Sequence, residues 1–226
     1  MIPAGVGLRV VGDVHGDARA FAYAVATDRF VVQLGDLADG EADGAPENAE
    51  AWQIALGLLE AGRGLFVLGN HDRKLGRALR GDRVDAGPAL RATLDQVAEA
   101  GLGPRVLAAV AAAPAWVRAG PRLFVHGGFH PAMLHEPPPP ALGRLPPPLA
   151  RALFGQTTGR VQPDGYPERV LGWVDRIPAG LTVYVGHDRR SQDGRPLAMP
   201  GQAGGEAVFL DTGAGKGGHL SWVDLL

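Results

Sequence analysis

One local pattern recurs five times along the chain. A short apolar run meets glycine and then side chains that bind metals or move protons. Leu8–Val11 leads into Gly12-Asp13-Val14-His15-Gly16, and Phe30–Leu34 leads into Gly35-Asp36-Leu37-Ala38-Asp39. Leu65–Leu68 is followed by Gly69-Asn70-His71-Asp72, Leu123–Val125 by His126-Gly127-Gly128, and Leu181–Val185 by Gly186-His187-Asp188. Four of the seven histidines fall in these endings. Short apolar runs bounded by turn residues read as buried strands. Sheets of α/β proteins gather their ligands at the carboxyl ends of such strands. The glycines let backbone and ligand approach closely.

The rest of the chain is consistent with such an array. Asp17 is placed to cap a helix over about Ala18 to Thr27. Pro46 is placed to open another that runs to about Ala61, with Trp52, Leu56 and Leu59 on one face. The strand–helix alternation through residue 68 argues for a parallel sheet. Residues 74–118 read as a helical insertion, and residues 136–148, with prolines 137–140 and 146–148, as a stiff, extended surface loop, or else one that rims the substrate cleft. Strands resume at 181–185, 206–210 and 219–224, the last two reading as an antiparallel pair. Gly215-Lys216-Gly217 lacks the P-loop spacing and has no helix after it.

Bulk properties narrow the chemistry. At 226 residues the chain suits a single domain, 1–226, with a sizeable core. The net charge of −2 argues against a general nucleic-acid-binding surface. With no cysteine, a metal must be held by imidazole, carboxylate, amide and water, a set that suits Mn, Fe, Ni or Zn. No run of 18 apolar residues and no signal-peptide pattern occurs, so no membrane association is expected and the cytoplasm is the default compartment.

In order and content these motifs resemble the calcineurin-like metallophosphoesterase superfamily, and within it the bacterial phosphoprotein-phosphatase branch. The stretches Thr157–Arg169 and Asp211-Thr-Gly-Ala resemble the same branch. The resemblance implies an α/β sandwich of two mixed β-sheets flanked by helices, with a small helical cap. It also implies two divalent metal ions, with Mn as the first choice. Asp13 and His15 would hold the first ion, Asp36 would bridge, and Asn70, His126 and His187 would complete the second. A metal-bridging hydroxide would attack phosphorus, His71 would protonate the leaving oxygen, and Asp39 would orient His71.

Two departures bear on the subgroup and on substrate grip. Where many superfamily members end in Gly-His-x-His, Arg189 stands at the last histidine, as in the phosphoprotein-phosphatase branch. Where that branch continues Gly-Asp-x-x-Asp with Arg-Gly, this chain has Gly40-Glu41. A bidentate grip on phosphate must then come from elsewhere. Arg160 is the first candidate, with Arg73, Arg189 and Arg190 behind it. The expected activity is phosphomonoester hydrolysis of the protein serine/threonine phosphatase type, on a phosphoprotein or nucleotide substrate. The rivals are hydrolysis of dinucleoside polyphosphates such as diadenosine tetraphosphate and removal of 2′,3′-phosphates from RNA ends. From another class comes an inactive metal- or phosphate-binding scaffold.

Overall fold

The computed structural model describes residues 2–40, 46–163 and 167–226. Residues 41–45, with Glu41, and residues 164–166 of the Gly-Tyr-Pro stretch lie outside the described residues. The chain opens with β1 (Leu8–Val11), α1 (Ala18–Val25), β2 (Phe30–Gln33), α2 (Asn48–Glu60) and β3 (Gly64–Phe66). Three helices follow, α3 (Asn70–Leu79), α4 (Pro88–Glu99) and α5 (Gly103–Ala112), and then β4 (Trp116–Ala119) and β5 (Arg122–Val125). α6 (Pro147–Phe154) precedes β6 (Thr157–Val161) and β7 (Pro167–Arg169). The last strands are β8 (Thr182–Val185), β9 (Leu197–Pro200), β10 (Glu206–Phe209) and β11 (Trp222–Leu225).

Two mixed sheets result, in the order β11-β1-β2-β3 and β4-β5-β8-β10-β9, beside a small β6-β7 hairpin. β1, β2 and β3 run parallel, as do β5, β8 and β10. Leu8, Val10, Phe30 and Val32 of the first sheet share one buried cluster with Phe124 and Tyr184 of the second. The alternate residues Val11, Val31, Leu123 and Val183 join the core beneath the helices, with Phe21, Trp52 and Leu75. Strands covered on both faces need apolar residues at every position, which is why the runs are continuous rather than alternating.

Asp17 caps α1, its Oδ1 accepting from the Ala20 N–H at 3.0 Å. Pro46 lies two residues before α2 rather than opening it, while Pro147 does open α6, so the proline-rich loop ends short of 148. That loop does not rim the cleft described below. Ala141 and Leu142 are buried against the helical layer, and Arg73 Nε and Nη2 donate to the carbonyls of Ala141 and Gly143 at 3.0 and 2.9 Å. The expected insertion consists of α3 to α5, but its last residues form β4, which pairs with β5.

The final two strands are not a pair. β10 already has β8 and β9 as neighbours, so the segment Asp211–Gly218 carries the chain across to the other sheet. There β11 adds antiparallel to β1, with Arg9 opposite Asp224 and hydrogen bonds of 2.7 and 2.8 Å joining the two side chains. β6, β7 and β9 were not expected as strands. They are largely exposed, so no apolar run marks them. No helix among the described residues is long and apolar enough to cross a membrane.

Candidate metal centre

The carboxyl ends of the parallel strands of both sheets meet at one place. Asp13 follows β1, Asp36 follows β2, Asn70 opens α3 after β3, His126 follows β5 and His187 follows β8. The two sheets are stitched together here. His126 Nδ1 donates to the Leu34 carbonyl at 2.8 Å, and the His187 N–H donates to both Asp13 carboxylate oxygens, at 3.1 and 3.0 Å. Gly186 is required at this seam, because a Cβ there would collide with Asp13 Oδ1.

Two ligand sets share Asp36. His15, Asp36 and His71 each offer a ligand atom, all within 4.8 Å of one another, and so do Asp36, His126 and His187. His15 Nδ1 sits 3.0 Å from the Ala38 carbonyl, which leaves Nε2 facing Asp13 Oδ2 and Asp36 Oδ2, each at 3.8 Å. Around His126 Nε2 lie Asn70 Oδ1 at 3.0 Å, His187 Nδ1 at 3.2 Å and Asp36 Oδ2 at 3.3 Å. With Nδ1 given to Leu34, the cluster around Nε2 needs a positive charge at its centre, supplied by a proton on Nε2 or by a cation. The side chains thus fit divalent cations, with nitrogen and oxygen donors of the type that Mn, Fe, Zn or Ni accept.

The titration of these groups reflects the same demand. Burial alone would lower His126, but Asp36 and Asp13 outweigh it and push the imidazole up to about 10. Burial alone would raise Asp36, but His126 and then His71 hold its carboxyl well below the usual range. Asp13 is pushed well up by burial and by Asp211. Burial lowers His15 to about 3, and burial followed by the charge at His126 holds His187 well below its ordinary value.

Beside the ligands stands a dyad. His71 Nδ1 is 2.9 Å from Asp39 Oδ2, and the His71 N–H donates to Asp36 Oδ1 at 2.9 Å. Burial works against protonation of His71, but Asp36 and Asp39 overcome it and raise the imidazole above its ordinary value. Asp39 is held by the Asn48 side chain at its backbone N–H, at 3.1 Å, and by Thr93 Oγ1 at 2.6 Å. Among the described residues, the non-glycine residues with positive φ are His15 (45°), Asp36 (57°), Asp39 (65°) and His187 (60°). All four belong to the site. Such backbone costs on the order of 1–3 kcal/mol per residue and persists only where surrounding structure imposes it.

Asp72 braces the turn that carries Asp36. Its carboxylate accepts from the N–H groups of Gly69, Asp36 and Leu37 at 3.0, 2.8 and 3.1 Å, tying the Asp36 turn to the start of α3. Burial and the nearby Asp36 push Asp72 up to about 6.

A cleft of about 580 Å³ opens beside His187, lined by Arg169, Arg189, Arg190, Asp211 and Lys216 among others. Of the arginines expected to grip phosphate, Arg189 and Arg190 line this cleft. Arg160, exposed on β6, is not among the residues lining it, and Arg73 is engaged with the proline-rich loop. Asp188 pairs with Arg190 Nη2 at 2.9 Å. Asp211, Lys216, Arg169 and Thr93 were not singled out from the sequence. Asp211 had a signal, since Glu206–Leu210 followed by Asp211-Thr-Gly is a sixth strand ending of the same kind. Lys216 stood out as one of only two lysines. Thr93 had none, because its reach depends on how α4 docks.

No family model and no curated protein matches the sequence. The fold does match solved structures. A protein assigned as a diadenosine tetraphosphatase is 20% identical over 99% of this chain and 91% of its own, with a TM-score of 0.56. A protein serine/threonine phosphatase from Saccharomyces cerevisiae is 12% identical over 93% of this chain and 70% of its own, at 0.57. A metallophosphoesterase from Sphaerobacter thermophilus is 16% identical over 92% and 77%, at 0.50. The two-sheet sandwich, with six α-helices about it among the described residues, is the fold shared with these structures.

Proposed function

We propose that the chain is a calcineurin-like metallophosphoesterase that hydrolyses phosphomonoesters, of the protein serine/threonine phosphatase type. The observation that carries this reading is the convergence of Asn70 Oδ1, His126 Nε2, His187 Nδ1 and Asp36 Oδ2 beside the His71–Asp39 dyad. Asp13, His15 and Asp36 would hold one divalent cation, and Asp36, Asn70, His126 and His187 a second. When bound, two such ions supply a water of lowered pKa and neutralise charge on phosphoryl oxygens. The chain's own residues do the rest. His71 holds a proton at Nε2 for the leaving oxygen, and Asp39 fixes the ring through Nδ1 and favours its charged form. Asn70 contributes an oxygen without negative charge, so the site stays attractive to a phosphate dianion. Arg189 lines the approach.

The cationic lining of the cleft favours a second reading, a substrate with more than one phosphate such as a dinucleoside polyphosphate. Among the described residues of the lining, His187 carries the aromatic ring, and the monoester reading stands first because it needs only one phosphoryl group at the ligand cluster.

The test is hydrolysis of an aryl phosphomonoester by chelator-stripped protein with and without Mn²⁺, beside His71→Asn, with metal content measured on both. Metal-dependent turnover that collapses in the variant while two ions stay bound supports the reading. Loss of one ion in the variant would make His71 a ligand of the His15–Asp36 set instead. No turnover of monoester or polyphosphate with any divalent metal would leave the scaffold.

A further inference from the structure

The segment after β10 folds back onto the ligand cluster through a left-handed backbone that glycine permits. Gly213, Gly215 and Gly217 have φ of 86°, 63° and 80°. The turn is closed by Lys216 N–H and Gly218 N–H, which donate to the Gly213 carbonyl at 3.0 and 2.8 Å. Its base is held by Asp211 Oδ1, which accepts from the Gly213 N–H at 2.9 Å. Gly215 packs so closely on His15 that a Cβ would collide with the His15 carbonyl oxygen. Gly40 is pressed against that same carbonyl, and a Cβ there would collide with it too. The Lys216 turn therefore borders the same ligand residue as the position from which the resembled branch sends its phosphate-gripping arginine.

We propose that Lys216 is the cation that grips the phosphoryl group, in place of the arginine absent after Asp39. This rests on the phosphoesterase reading. Lys216 lines the cleft with His187 and Asp211, and among the described residues its ammonium makes no hydrogen bond and has no carboxylate within 4.0 Å. Its charge is felt at His15, His71 and Asp211, whereas that of Arg169 is felt at His187. The neighbouring cations are more committed. Arg190 is paired with Asp188, Arg169 Nη1 donates to the Phe154 carbonyl at 2.6 Å, and Arg189 lies against Gly213. An ammonium on a backbone turn that is itself fixed offers a point charge to a dianion at low conformational cost.

The experiment uses the full chain loaded with Mn²⁺ and inorganic phosphate as the probe, titrated by calorimetry, alongside KM and kcat for an aryl phosphate. Lys216→Met should weaken phosphate binding and raise KM by about tenfold or more, Lys216→Arg should recover much of both, and Lys74→Met should change neither. Unchanged phosphate affinity in Lys216→Met beside an active wild-type protein overturns the assignment and leaves the phosphoesterase reading standing. Lys216-dependent phosphate binding by a protein that hydrolyses nothing upholds the assignment and overturns the enzyme reading. Wild-type protein that binds Mn²⁺ but no phosphate overturns both.

Discussion

Thr93 Oγ1 lies 2.6 Å from Asp39 Oδ1, a hydrogen bond sent from the middle of α4 into the carboxylate that orients His71. Thr93 is fully buried and its hydroxyl is also 3.1 Å from the Ala89 carbonyl, so a single proton is shared between helix and site. The helical insertion thereby supports the His71–Asp39 dyad.

Thr93→Val keeps the shape and removes that proton. A hydrogen bond to a charged group is worth about 1.5–3 kcal/mol, so a kcat loss of about tenfold is expected with metal content and KM little changed. If the loss acts through His71, it will be larger for an alkyl phosphate, whose leaving oxygen needs the proton, than for an activated aryl phosphate. Equal losses on both substrates would show that Thr93 serves the fold alone.

Divalent cations should stabilise the fold because Asp36 and its partners form a binding site only when both sheets are in place. At a hundredfold excess over Kd the gain is about 2.7 kcal/mol, which raises Tm by about 5–10 °C in a chain of this size. Thermal unfolding with Mn²⁺ and then with excess chelator measures it. Asp36→Asn should abolish the rise, since the residue belongs to both ligand sets.

Arg73→Gln should loosen the proline-rich loop, because the guanidinium holds the carbonyls of Ala141 and Gly143. Faster proteolysis and hydrogen exchange between residues 137 and 146 are expected, with phosphate affinity unaltered. A fall in phosphate affinity without any change in the loop would return Arg73 to the list of phosphate ligands.

The Arg9–Asp224 pair gives stability a weak acid dependence. The hydrogen bonds from Arg9, outweighing partial burial, lower the Asp224 carboxyl from its ordinary 3.8. Its contribution is therefore complete above that value and lost as pH falls through the lower, folded-state value. Asp224 is exposed and Arg9 half-buried, so Asp224→Asn should cost about 0.2–1 kcal/mol at neutral pH. Urea titrations of both proteins should show the difference shrinking below pH 4 and in high salt. A difference that grows on acidification would contradict the assignment.

The strand ends were legible because parallel strands buried on both faces print as unbroken apolar runs, and because Asp13, Asp36, Asn70, His126 and His187 each follow such a run directly. The exposed strands β6, β7 and β9 print no such run. The pairing of β11 with β1 was hidden for another reason. Sequence proximity pointed to β10, but β10 had already found partners on both edges. The backbone at His15, Asp36, Asp39 and His187 was equally illegible, since left-handed φ at a non-glycine residue is imposed by tertiary contacts.

The partnership of β1 with β11 also sets a schedule for folding. Arg9 and Asp224 are 215 residues apart in the chain, so their contact has a high loop-closure cost and adds to the contact order. Until that last strand arrives, β1 presents an unpaired row of backbone groups, and an open edge of this kind recruits other chains. A ribosome-bound chain can assemble β1, β2 and β3 early, yet it carries that sticky edge through the rest of its synthesis. The strand that leads to Asp13 thus stands second from the sheet's edge, under a cover made only after the rest of that sheet.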